Sequence, residues 1–128
     1  MPKIINQMAL QAAMNWQLVN VLLPYEWLVS KGVYQIRHLI TNKIYIGATT
    51  DCFLHRFRQH QCGMVNFHNR EFLQMTNTPL ANDFVIQGSN FYHLKFEIIE
   101  KMPTSSDKDI FAKESFFILT LNPEYNEK

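Results

Sequence analysis

A chain of 128 residues has room for one domain and a modest core. Hydrophobic content of 47% against 18% charged residues excludes disorder, and two cysteines exclude a disulfide scaffold. Net charge is only +1. Lys31 to His60, however, carries five basic residues against one acid, while Lys95 to Lys128 carries five lysines against seven acids. Positive charge therefore gathers on one short stretch, which suits a small patch meeting phosphates. Cys52 and Cys62 read as reduced thiols of an intracellular protein; they lack the partners for a zinc site unless histidines complete it.

In chain order, Ile4 to Leu23 is apolar but interrupted by Gln7, Gln11, Asn15, Gln17 and Asn20. Ala9, Ala12, Trp16, Val19 and Leu23 recur at helical spacing, which predicts an amphipathic helix ending before Pro24. It is too short and polar to span a bilayer and lacks the uninterrupted apolar centre of a signal peptide. It packs on the domain or forms a homodimer surface, so residues 1–30 are expected to be an N-terminal helical extension of a domain over 31–128.

Val33 to Leu39 and Ile44 to Ile46 predict two strands, with turn chemistry at Thr41-Asn42. An even-numbered loop puts Tyr34 and Tyr45 on one face of the sheet, and a four-residue loop over His38 to Thr41 would set them directly opposite. Gly47 ends the second strand, where a side chain would obstruct something approaching the backbone. Thr50 or Asp51 caps a helix on which Phe53, Leu54 and Phe57 face inward, and Arg56 and His60, four residues apart, share a flank. Phe67 to Met75 reads as a short helix carrying His68, Arg70 and Glu71, and Asn77 to Asn90, with Pro79 and Gly88, as a long loop. A third strand spans Tyr92 to Glu100, with Tyr92, Leu94, Phe96 and Ile98 on one face. Ser106 and Asp109 resemble a capping box opening a helix whose inward stripe is Ile110, Glu114, Phe117 and Leu121, widened by Phe111 and Ile118.

These residues carry recognisable chemistry. Tyr34 and Tyr45 donate to phosphate oxygens or polarise a water. Arg56 matches phosphate geometry and stays charged, and His60 is an acid or base near neutral pH. Glu114 is a carboxylate inside an apolar stripe, which needs a partner: Arg56 or a cation. A lone carboxylate suits Mg²⁺, which keeps several waters. The parts suffice for metal-assisted phosphodiester hydrolysis, with a tyrosine or histidine taking the proton of the attacking water.

Gly32-Val33-Tyr34 followed by Tyr45-Ile46-Gly47 resembles the paired motif of the GIY-YIG nuclease superfamily, with Val for the middle Ile. Arg56 and His60, then Glu114, then Tyr125-Asn126 match the family's later elements in order, so the resemblance runs from about Lys31 to the C-terminus. The stretch QIRHLITNKIYIGAT is most similar to phage and organellar homing endonucleases. The resemblance implies an α+β fold, a small three-stranded antiparallel sheet flanked by helices, which agrees with the strands and helices read above; the N-terminal helix would be an addition. It also implies cleavage of double-stranded DNA with one Mg²⁺ or Mn²⁺ held by Glu114, leaving 3′-hydroxyl and 5′-phosphate ends. Catalytic roles then fall to Tyr34, Tyr45, Arg56, His60, Glu114 and Asn126, and substrate contacts to Gly47, Lys43, Arg58 and His68. Localisation would be intracellular, cytoplasmic or organellar. A restriction-like or degradative nuclease, and a catalytically silent DNA-binding or assembly module, are the alternatives.

Overall fold

The computed structural model describes residues 18–65, 76–87 and 90–126. Three strands, β1 (Gly32–His38), β2 (Ile44–Thr49) and β3 (Leu94–Lys101), form an antiparallel sheet in the order β2-β1-β3. Among the described residues four helices flank it: α1 (Tyr25–Leu28), α2 (Phe53–Val65), α3 (Thr78–Ile86) and α4 (Asp107–Leu121). Short 3₁₀ turns lie at Phe91–His93 and Glu124–Asn126. This is the expected α+β architecture. Residues 4–17 of the expected N-terminal helix, and Phe67 to Met75, lie outside the described residues; residues 18–24 are not helical. No described helix is long and apolar enough to cross a membrane.

The β1–β2 hairpin closes through a four-residue loop, but one position later than expected. His38 N–H donates to the Lys43 carbonyl at 2.9 Å, and Asn42, left-handed at φ 60°, donates back to the His38 carbonyl at 2.7 Å. The even count is right, so Tyr34 and Tyr45 do share a face. The register pairs Tyr34 with Gly47 and Ile36 with Tyr45, so the tyrosines are diagonal and not opposite. At the start of β1, Gly32 has φ 147° beside a bulge against β3. A Cβ there would run into the Glu100 carbonyl, so only glycine fits.

Period-2 alternation sends β1 residues to two different cores. Tyr34 and Ile36, with Leu94 and Phe96 of β3, pack beneath Phe53 and Phe57 of α2 and Leu80 and Phe84 of α3. Val33, Ile46 and Met102 pack on the other side against Ile110 of α4, joined by Phe117 and Ile118. The stripe expected on α4 is therefore narrower than read: Phe111 and Leu121 are about half exposed, at 50% and 46%.

Residues 78–86, expected in a long loop, form helix α3. Asn77 caps it by accepting from Leu80 N–H at 3.0 Å, and Pro79 sits in the first turn, where its missing N–H has no helical acceptor to lose. Tyr92 lies in the 3₁₀ turn before β3 and is exposed, whereas Leu94, Phe96 and Ile98 keep the alternation expected of that strand.

Edge strand β2 is closed by side chains of the last 3₁₀ turn. Ile46 N–H donates to Asn126 Oδ1 at 2.8 Å, and Asn126 Nδ2 donates to the Ile46 carbonyl at 2.8 Å. Ile44 N–H donates to Glu124 Oε1 at 3.2 Å. Side chains thus replace a fourth strand, which protects an edge open to pairing with another chain.

Candidate active site

The site begins with the Tyr34 ring, fully buried between β1 and α2. It meets the rings of Phe57, His60 and Phe53 edge-on, with centroids 5.2, 5.6 and 6.2 Å away. Its hydroxyl lies 2.6 Å from His60 Nε2, and His60 Nδ1 lies 2.7 Å from the Thr76 hydroxyl. The other side of the ring fills the space over Gly47. A Cβ at Gly47 would fall 2.6 Å from a Tyr34 ring carbon and 2.9 Å from the Tyr45 ring, and would strike the Tyr34 hydroxyl. Gly47 was expected at a place where a side chain would obstruct something approaching the backbone; what approaches is the Tyr34 side chain.

Tyr45, half-buried, stands outside this packing. Its ring is 6.3 Å from that of Tyr34 and 5.4 Å from that of His60. The Tyr34 hydroxyl and the Arg56 guanidinium are the neighbours that act on the Tyr45 hydroxyl. Arg56, on the α2 flank, also donates to Gln59 Oε1 at 3.2 Å. Glu114 reaches the same charge cluster from α4. Sequence spacing put Arg56 and His60 on one flank, but burial separates them: Arg56 is half-buried and His60 is wholly enclosed.

The electrostatics follow from this layering. Burial pushes the Tyr34 hydroxyl well above the usual tyrosine range, and the neighbouring Tyr45 pushes it further. Burial also raises Tyr45, but the Arg56 charge pulls it back. His60 is driven well below the usual histidine range, first by burial and then by Arg56, so it is neutral at neutral pH. Burial raises Glu114, with Arg56 opposing. An anion whose burial is only partly compensated is a fitting ligand for a hard cation.

A family model for the GIY-YIG catalytic domain matches residues 30–126. This chain belongs to that family. It is 30% identical over 98 residues to intron-associated endonuclease 1 of Enterobacteria phage T4, a match covering 77% of this chain and 36% of that relative. The chain thus spans little more than a third of that curated relative. Among solved structures, the catalytic domain of the homing endonuclease I-TevI is similar at TM-score 0.55 and 27% identity, covering 75% of this chain and 92% of the other. A mutant of the same catalytic domain matches at TM-score 0.54 and 27% identity, over 73% and 84%.

In this GIY-YIG domain the remaining candidates are dispersed. Asn126 commits both side-chain atoms to the Ile46 backbone. Lys43, at the hairpin tip, reaches Asp83 of α3 at 3.9 Å. Arg58 lies with Asp51, His55 and Gln59 around a hollow of about 290 Å³ beside α2. His68 lies outside the described residues. Among the described residues, Asp51, Cys52 and His55 offer metal-ligand atoms within 4.8 Å of one another, so Cys52 does have a histidine beside it. Asp51 Oδ2 accepts a 2.6 Å bond from His55 Nδ1–H in place of capping α2. Sequence reading passed over this group although its D-C-x-x-H spacing was visible. It also passed over Thr76 and Gln59: Thr76 arrives across a segment of 16 residues with no local signal, and Gln59 follows Arg56 by three helical positions.

Proposed function

We propose that this GIY-YIG domain is a metal-dependent DNA endonuclease of the phage homing type, acting on double-stranded DNA, with residues 31–128 as the nuclease domain and 1–30 as an extension. The observation that supports this reading is that Tyr45 on β2 and Glu114 on α4 both feel the Arg56 charge on α2, and that all three are partly exposed. The endonuclease name of the phage relative supports it.

In this reading Arg56 holds the scissile phosphate and stabilises the charge that develops on it, since a guanidinium offers several fixed donors and stays protonated. Tyr45 faces the substrate and holds or accepts the proton of the attacking water. Tyr34 and His60 lie behind it and set its orientation. Glu114 holds Mg²⁺ or Mn²⁺; when bound, such a cation neutralises the phosphate and the leaving oxygen. Asn126 supports the site by holding β2 in place. Lys43 and Arg58 contact DNA further out.

The test is nicking of supercoiled plasmid with and without Mg²⁺ or Mn²⁺, followed by end sequencing. The wild type is expected to nick only with the cation and to leave 5′-phosphates. Glu114→Ala is expected to bind DNA without nicking it, and Arg56→Ala to lose at least about a hundredfold in rate. Full cleavage by Glu114→Ala would remove the metal assignment; the Asp51, Cys52 and His55 group would then be the next candidate.

A further inference from the structure

We propose that Thr76 is a positioning residue of the reaction: its hydroxyl selects the His60 tautomer that turns the Tyr34 O–H toward Tyr45. This rests on the nuclease reading for the role of Tyr45.

The argument is one of donors and acceptors in a closed interior. His60 and Tyr34 have no exposed surface and Thr76 is 8% exposed, so water does not substitute for a lost partner. The two bonds of His60, 2.7 Å to Thr76 and 2.6 Å to Tyr34, engage different ring nitrogens. A neutral imidazole donates through one nitrogen and accepts through the other, so the two bonds run in the same sense. If Thr76 donates to Nδ1, then Nε2–H donates to the Tyr34 oxygen. The Tyr34 O–H is then left for Tyr45. The Tyr45 oxygen accepts it alongside Arg56, which only donates, and the Tyr45 proton is free to face the substrate. In the opposite sense, Tyr34 spends its proton on Nε2, Nδ1–H points at Thr76, and Tyr45 loses that donor. The first arrangement satisfies every group and aims the Tyr34 proton at Tyr45.

Among the described residues, the groups facing Tyr45 are Tyr34 from β1, Arg56 and His60 from α2, and Glu114 from α4. Thr76 touches none of the reacting atoms and acts through two intermediaries. It stands at the entry to α3, one residue before the cap Asn77. The entry to α3 thus supplies the partner of His60 Nδ1.

Two measurements decide the matter. Nitrogen-15 NMR of the His60 ring in the full chain is expected to show Nε2 protonated and Nδ1 bare in the wild type. Thr76→Ser should keep that pattern and Thr76→Val should lose it. In nicking assays at one pH, Thr76→Val is expected to lose about tenfold in kcat at unchanged KM, while Thr76→Ser keeps the wild-type rate. Protonated Nδ1 in the wild type overturns the proposal, and so does an undiminished kcat in Thr76→Val. The tautomer is read without turnover and without any variant, so a poorly folding Thr76→Val leaves the decision with the wild-type spectrum. Wild-type nicking is measured first, so a failure of the nuclease reading is seen separately.

Discussion

Replacing the Gly47 hydrogen by a methyl group puts a carbon where the Tyr34 ring lies. The ring has nowhere to go, because Phe53, Phe57 and His60 enclose its other sides. Gly47→Ala is therefore expected to cost about 1–3 kcal/mol by overpacking, read as a lowered urea midpoint, and to weaken nicking through the displaced Tyr34 hydroxyl. At this scale the sequence was informative about identity and less so about depth. The parity of the hairpin loop placed Tyr34 and Tyr45 on one face. Nothing local to either tyrosine told that one is fully enclosed and the other half-open, because enclosure comes from α2 and α3 folding over β1.

Among elements, the closure of β2 has the most direct consequence. Asn126 serves as donor and acceptor to one residue, Ile46, so its amide imitates a strand partner. Asn126→Ala is expected to destabilise the domain by about 1–3 kcal/mol, seen as a lower melting temperature, because the Ile46 N–H and carbonyl both lose their partner. Asn126→Asp should recover only part of it, since a carboxylate accepts from the N–H but offers no donor to the carbonyl. The motif-like Tyr125-Asn126 pair was legible; its use was not, because the partner lies 80 residues away. Helix α3 was missed for a different reason. Pro79 and Asn77 are loop residues in most contexts, and become a helix opening only because Leu80, Ala81 and Phe84 find a core to fill.

For the whole molecule, buried imidazoles set the response to acid. His60 and His38 are both held below the unfolded histidine value of 6.5, each chiefly by burial. His38 Nδ1 also accepts from Ile40 N–H at 3.3 Å and Thr41 N–H at 3.4 Å, so protonation there would break the hairpin tip. The unfolded chain takes up these protons first as pH falls. Stability is thus expected to be level above about pH 7 and to decline as pH drops below 6.5 toward the folded values. Urea midpoints measured between pH 8 and pH 5 check this; a midpoint that rises on acidification would contradict it. The overall architecture was legible because hydrophobic periodicity named three strands and two of the helices. The two-sided core was not, since it depends on which sheet face each helix covers.

The seating of Tyr34 and His60 behind Tyr45 divides the cluster into an accessible rim and a sealed interior. Phenol-directed or carboxylate-directed reagents would meet Tyr45 and Glu114 while leaving the inner pair untouched. Anyone retuning this domain by surface redesign has only the rim to work with; the interior answers only to substitutions that repack the protein.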